Sequence, residues 1–396
     1  MSPFRSDLAS ELNRLHKACL YRAPRVLNGP QGPRPLIDGK RILAFCSNDY
    51  LGLANDPRLI AAFKRGADTY GVGSGAAHLI TGHSAAHQAL EEELADFAGR
   101  PRALLFPAGY MANLGVISAL AGRGEQVFED KLNHASLLDG ALLSRARLRR
   151  YAHADSQALS RMLAGRDARI IATDGVFSMD GDLAPLLELV PLAQSAGAWL
   201  LVDDAHGLGV LGEEGRGSLA HFGLGLDQVP ILVGTLGKAF GTSGAFVAGG
   251  SDLIEILIQR ARSYVYSTAP PPAIAEATRE SLRIVRRETW RRERLHGLIR
   301  RFRAGAAQLG LPLMSSPTPI QPLIAGTARQ ALAWSRGLEA LGILVSAIRP
   351  PTVPEGSARL RITLSAAHEV TDVDRLLEAL ASLLHEAPGS ALAATL

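Results

Sequence analysis

Between Arg41 and about residue 250 the chain alternates short apolar runs with helical stretches. No other feature constrains the fold as much. The runs cover residues 103–106, 126–128, 169–173, 198–203, 231–233 and 245–247. Each is apolar at consecutive positions and is bounded by Gly, Pro or Asp. A strand that is apolar on both faces must be covered on both, as inside a parallel sheet flanked by helices. The pattern predicts a large α/β domain over residues 46–270 with a mostly parallel sheet. Residues 5–19 are expected to be helical, and residues 24–40, rich in Pro and Gly, to form a loop and hairpin. Together they make an N-terminal segment, 1–45. After Pro270, Pro271 and Pro272 a charged helical stretch is expected to about Gly310. Residues 311–385 then alternate strands and helices, so 271–396 reads as a smaller α+β domain. No structure is expected from Ala387 to the end.

The bulk numbers narrow the class. A chain of 396 residues suggests about two domains. Its formal net charge of +4 is small for that length and is no nucleic-acid signature. It mildly favours anionic ligands: phosphates, coenzyme A thioesters or an acidic carrier protein. The basic stretch 283–303 has Glu288 and Glu293 interleaved and reads as a solvated, ion-paired helix. The two cysteines, Cys19 and Cys46, have no CxxC spacing. Neither a disulfide framework nor a zinc site is expected, and a cytoplasmic location fits. Cys46 reads as a small buried residue and not a nucleophile. No run is long and charge-free enough to span a bilayer. Asp7 and Glu11 interrupt the apolar residues of the N-terminus, which lacks the apolar core of a secretory signal.

In an open parallel sheet, ligands sit at the carboxyl ends of the strands, and the chemical residues fall there. Asp203 ends the 198–203 run. Ser178 follows 169–173, Thr235 and Lys238 follow 231–233, and Gly109 and Tyr110 follow 103–106 and open a helix. Four loops thus bring polar groups to one sheet edge. Lys238 stands in a Gly-rich run free of other charges, and a buried lysine is expensive unless paired or covalently used. Each residue has a task if the ligand is pyridoxal 5′-phosphate (PLP). A lysine amine forms a Schiff base with an aldehyde. A carboxylate, Asp203, keeps a pyridine nitrogen protonated and the ring an electron sink. An imidazole, His134, covers one ring face. Gly109 and Tyr110 offer backbone N–H groups, and Thr235 and Ser178 hydroxyls, to a phosphate. His206 is placed for the ring 3-hydroxyl oxygen. Taken singly, each has an ordinary structural reading: a surface lysine, a turn-forming aspartate, a core histidine. Their joint order along the chain favours the site.

Two features are weaker. Residues 71–75, Gly-Val-Gly-Ser-Gly, serve equally as a phosphate cradle or a flexible connection, since they do not follow a strand. His78, His83 and His87 cluster in sequence, but no carboxylate or cysteine stands close by, and no metal site is expected.

The chain resembles the α-oxoamine synthases, PLP enzymes of the aspartate aminotransferase fold type, nearly end to end. The resemblance rests on Ser47-Asn48-Asp49-Tyr50-Leu51-Gly52-Leu53, His134-Ala135-Ser136, Phe177-Ser178-Met179-Asp180-Gly181-Asp182, Asp203-Asp204-Ala205-His206-Gly207, residues 235–241 and Arg359-Leu360-Arg361-Ile362. Within the family, Gly73-Ser74-Gly75, Tyr266-Ser267-Thr268, residues 348–354 and residues 363–368 are most similar to the biotin-pathway branch. Residues 75–79, where many members have more glycine, and Asp174, where glutamate is common, depart from the family pattern. The resemblance implies a decarboxylative condensation of L-alanine with a pimeloyl thioester, carried by coenzyme A or acyl carrier protein. Lys238 is then both Schiff-base residue and base. Arg361 and Asn48 bind substrate, with Arg361 on the amino-acid carboxylate. Arg22 and Thr352 lie on the acyl side. Ser267 and Thr268 reach the phosphate of the other subunit in a homodimer with a shared active site. No nucleic-acid or membrane partner is implied. The competing readings are a glycine-using sister enzyme (of the 5-aminolevulinate synthase or 2-amino-3-ketobutyrate ligase type), an aminotransferase on the same fold, and a binding module that retains the fold.

Overall fold

The structure is a computed structural model and describes residues 3–385. The tail from Ala387, expected to lack structure, lies outside the described residues. The chain separates into two compact units. The larger holds Asn48–Ser178 and Asp182–Glu293; the smaller holds the residues up to Ser47, Met179–Gly181 and those from Arg294 on.

The larger unit is built on a seven-stranded sheet: β1 (Arg102–Phe106), β2 (Gln126–Asp130), β3 (Arg147–Tyr151), β4 (Ile170–Asp174), β5 (Trp199–Asp203), β6 (Ile231–Thr235) and β7 (Ala245–Gly249). Their spatial order is β1-β7-β6-β5-β4-β2-β3. Strands β2 to β6 run parallel, and β7 runs antiparallel to both β1 and β6. Both faces are buried, as the two-faced apolar runs require. Leu201 packs into one core with Ile117, Val127 and Leu137. Leu200 and Val202 pack into the other with Phe128, Leu186 and Leu189. All six expected runs are strands. The sequence reading misses β3, which reads Arg-Leu-Arg-Arg-Tyr. It lies at the sheet edge, where charged side chains reach water and protect the edge from further pairing.

The turn into β7 explains the glycines around Lys238. Because β7 reverses direction, β6 and β7 are joined directly by residues 236–244. Leu236 N donates to Gly244 O at 2.9 Å and Thr242 N to Leu236 O at 3.0 Å. Gly241 has φ of 67°, and a Cβ there would fall 2.5 Å from the backbone nitrogen of Ala54; no larger residue fits this turn.

The charged stretch after Pro270 forms two helices, Pro272–Arg287 and Thr289–Gln308, broken at Glu288. The first was expected to open the C-terminal domain but belongs to the larger unit. Its buried face, including Ala273, Ala277, Ile284 and Val285, is as apolar as a core helix requires. Gly66, in the helix Pro57–Tyr70, lets it approach closely. The basic residues are ion-paired as expected, Arg291 to Glu288 at 2.7 Å, and also to acids remote in sequence: Arg286 to Asp96 at 2.7 Å and, in the smaller unit, Arg301 to Asp374 at 2.6 Å.

In the smaller unit the helix Pro3–Lys17 is followed by a short hairpin of Leu36–Ile37 and Lys40–Arg41. Leu43–Ala44 then pairs in parallel with Ile343–Leu344, which ties the N-terminal segment to the C-terminal one. A three-stranded antiparallel sheet places Ala358–Thr363 between Ile320–Gly326 and Ser346–Ile348. No helix of the described residues is long and apolar enough to cross a membrane.

A Cβ on Gly66 would lie 2.8 Å from Ala273 Cα, a backbone atom that cannot turn aside. Gly66→Ala is therefore expected to destabilise the larger unit by about 1–3 kcal/mol through overpacking. Gly250→Ala, with nothing within 4 Å, is expected to be neutral. Denaturant titration of the two variants checks the difference.

Candidate active site

The carboxyl ends of β4, β5 and β6 lie side by side, with Asp174 in register with Asp203 and Asp203 with Val233. Next to them is a cavity of about 170 Å³, room enough for a six-membered ring, since an engineered cavity of about 150 Å³ takes up benzene. Gly109, Tyr110, His134, Ser178, Asp203, His206, Thr235 and Lys238 all line it. These are the residues picked from the sequence for the cofactor side, apart from Ser267 and Thr268. Ser136, Asp174, Val176 and Ala205 complete the wall.

Lys238 Nζ lies 2.8 Å from His206 Nε2, and His206 Nδ1 lies 2.7 Å from Tyr50 Oη. The buried ring thus joins an amine to a phenol. Asp203 is held at both oxygens: Oδ1 accepts from Ala205 N at 3.0 Å and Oδ2 from Asn113 Nδ2 at 2.6 Å. Asn113 is fully buried and also donates to Ser136 Oγ at 2.8 Å, and Ser136 Oγ lies 2.7 Å from His134 Nδ1. Read along the donors, Ser136 gives its proton to Nδ1, which assigns the neutral His134 proton to Nε2. Burial behind the ring holds His134 below the usual imidazole range; the Lys238 cation acts in the same direction and Asp203 opposes it. His134 also caps the helix Ala135–Ser144, and Tyr110 meets its ring edge-on at 6.2 Å.

Asp174 is fully enclosed. Burial, and then the Asp203 carboxylate beside it, push its pKa well above the ordinary carboxylate range. Its Oδ2 accepts from His134 N at 3.0 Å. Behind the wall, Asp204 accepts from Ser218 N at 2.7 Å and is pushed up to about 7, chiefly by burial. A Cβ on Gly175, Gly207 or Gly217 would fall within 2.6 Å of this carboxyl group.

The donor set suits PLP. The helix Gly109–Leu120 begins at the cavity with no side-chain cap on its first N–H groups, an arrangement that receives a phosphate. Thr235 and Ser178 line the same cavity and carry hydroxyls. An amine for an aldehyde and a carboxylate for a ring nitrogen stand on the same wall.

Other expected residues lie elsewhere. Ser267 is half-buried and Thr268 exposed, bridged to Ala77 in the same unit and away from the cavity lining. Asn48 accepts from Tyr50 Oη at 3.2 Å. Arg22, Thr352 and Arg361 belong to the smaller unit. Arg22 donates to Thr352 Oγ1 at 2.9 Å, and Arg361 is buried on the strand Ala358–Thr363. His78, His83 and His87 do converge, with ring centroids 5.1–5.7 Å apart. His87 is already engaged at both nitrogens, accepting from Ser84 N at 3.0 Å and facing Pro270 O at 2.8 Å. It is a helix-capping residue whose lone pair is occupied.

Sequence reasoning missed Asn113 and gave no role to Ser136 or Tyr50, although both stand in the motifs that carry the resemblance. Asn113 was within reach: four residues after Gly109 on one helix, it must share the face that meets the cavity.

Residues 40–380 match the family model described as aminotransferase class I and II. Curated relatives include the 8-amino-7-oxononanoate synthase of Nitrosococcus oceani, 66% identical over 376 residues, covering 94% of this chain and 100% of the relative. The synthase of the same name from Methylococcus capsulatus is 66% identical over 377 residues, covering 95% and 97%. Among solved structures, a serine palmitoyltransferase from S. paucimobilis, with PLP and myriocin bound, matches with a TM-score of 0.91 at 31% identity over 96% of this chain and 97% of that one. An 8-amino-7-oxononanoate synthase from Francisella tularensis matches with a TM-score of 0.78 at 35% identity over 87% and 98%.

Asn113 Nδ2 is the side-chain donor that ties Asp203 to Ser136. Asn113→Ala removes a buried hydrogen bond to a charged group, about 1.5–3 kcal/mol. It is expected to weaken PLP binding by roughly ten- to a hundredfold, read from the cofactor's absorbance during titration of the apoprotein.

Proposed function

This chain belongs to the aminotransferase class I and II family, and we propose that it condenses L-alanine with a pimeloyl thioester, with loss of carbon dioxide, to give 8-amino-7-oxononanoate for biotin synthesis. It is a PLP-dependent acyltransferase. The observation that carries this reading is the meeting of Lys238, Asp203, His134 and His206 around one cavity, in a chain 66% identical to curated synthases of that name.

PLP, when bound, supplies an electron sink that stabilises negative charge on the substrate α-carbon. Lys238 holds the cofactor through Nζ. Once alanine has taken that place, its free amine removes the α-proton and later returns one. His206, within hydrogen-bond reach of Nζ and backed by Tyr50, orients the amine. Asp203, fixed by Asn113 and Ala205, sustains the positive charge on the ring nitrogen. His134 covers the ring face in its neutral form, with an Nε2–H free to donate to the substrate's carboxylate or acyl oxygen. Gly109, Tyr110, Thr235 and Ser178 take the phosphate. Arg361 receives the alanine carboxylate through its two-pronged guanidinium. Arg22, Thr352 and Asn48 serve the substrate side. The α-carbon forms a bond to the thioester carbonyl carbon, the thiolate leaves, and the carboxylate departs as carbon dioxide.

Ser267 and Thr268 do not line the cavity of their own chain. This supports a homodimer in which they reach the phosphate site of a second copy. The carrier is coenzyme A or acyl carrier protein, and the compartment is the cytoplasm.

The purified protein with L-alanine and pimeloyl-coenzyme A is expected to release carbon dioxide and yield the mass of 8-amino-7-oxononanoate. A product from glycine and none from alanine would overturn the substrate assignment. Lys238→Ala is expected to lower turnover at least about a hundredfold, the low end for a positioned base. Arg361→Ala is expected to raise the KM for alanine roughly tenfold or more, as loss of a charge-assisted pair implies.

A further inference from the structure

Outside the cavity, His153 lies between two carboxylates. Nδ1 is 3.0 Å from Asp130 Oδ1, and Nε2 is 2.9 Å from Asp182 Oδ2. An ionised carboxylate only accepts, so two such neighbours call for a donor at both ring nitrogens. Asp130 accepts two further hydrogen bonds, from Leu132 N on Oδ1 and Ala154 N on Oδ2, each at 2.7 Å. Ala154 is left-handed, with φ of 50°. Its bond to Asp130 fixes the turn that aims the neighbouring ring.

What the ring touches on its other side matters for the site. Asp182 and Phe177 are the two ends of the loop after β4. Phe177 N donates to Asp182 O at 3.0 Å, and Val176 bridges to Leu183. Phe177 also meets the His153 ring edge-to-face, with centroids 4.4 Å apart. The same loop presents Val176 and Ser178 to the cavity.

We propose that His153 is a positioning residue for the cofactor site, an imidazolium that bridges Asp130 and Asp182 and so holds the loop that presents Ser178. This rests on the reading of Ser178 as a phosphate ligand. Burial works against charge on the ring, but hydrogen bonds to the two aspartates and their charges outweigh it and raise His153 to about 10. With the folded value raised, the stabilisation from the bridge is full below the ordinary imidazole range and is lost as pH rises through about 10, where the ring gives up its second proton.

Three variants and one spectrum test the role. PLP affinity is measured by absorbance titration for His153→Asn, Ser178→Ala and the double variant. Each single change is expected to weaken binding roughly tenfold, and the double variant no more than the worse single one, since one residue acts through the other. In protein labelled with nitrogen-15 histidine at pH 8.5, one doubly protonated ring is expected, and it should vanish in His153→Asn. If that variant does not fold, Asp182→Asn removes the arm on the loop and should weaken PLP to the same extent. Full PLP affinity in His153→Asn alongside weakened Ser178→Ala overturns the role and leaves the Ser178 reading standing. Full affinity in Ser178→Ala overturns that reading and the role together. Additive losses, or a neutral His153 ring at pH 8.5, also overturn the proposal.

Discussion

Two carboxyl groups on neighbouring strands set the terms for the rest of the larger unit. Parallel strands end together, so the register of β4 with β5 places Asp174 beside Asp203. Like charges in a low-dielectric site repel, and the fold gives the two carboxyl groups different surroundings. Asp203 accepts from Asn113 Nδ2 and Ala205 N, whereas Asp174 is buried completely, and burial and then its neighbour raise it well above the ordinary carboxylate range. The Lys238 charge acts on Asp174 in the opposite direction, lowering it. A third carboxyl, Asp204, lies behind, in a space that three glycines keep open. Acids at successive depths can coexist here because each has its own donors and its own degree of burial.

Much of this was legible in the chain. Residues 198–202 are apolar at every position, and such a run has few places to go except the middle of a covered sheet. The spacing from strand end to Asp203, Thr235, Lys238 and Gly109 fixes one edge of that sheet as the site. What escaped the sequence reading depends on neighbours that only the fold provides. Arg147–Tyr151 looks like a charged surface segment because its burial is decided by its place at the sheet edge. The helix Pro272–Arg287 looks like the start of a new domain because prolines precede it, yet its apolar face settles its allegiance. His153 is a lone histidine in sequence, and its two aspartates stand 23 and 29 residues away.

Histidine shows how strongly surroundings decide chemistry. His134 is kept neutral by packing and by a cation, His206 links an amine to a phenol, and His153 gains charge from flanking acids. His78, burdened by burial and by two neighbouring imidazoles, drops to about 3. His87 caps a helix. The same ring takes each state because its ordinary pKa lies where modest environmental differences decide the outcome.

The direct β6–β7 connection carries a kinetic consequence. A nine-residue turn closed by its own backbone hydrogen bonds, with Gly241 wedged against Ala54, leaves the Lys238 main chain little room to travel. Whatever distance Nζ must cover between holding a ligand and standing free beside it has to come from rotation within its four-carbon stem. Side-chain rotations of this kind take roughly picoseconds to nanoseconds when unhindered, against microseconds or longer for collective backbone motion. By anchoring the lysine backbone on a hydrogen-bonded turn, the fold confines any displacement of Nζ to the side chain.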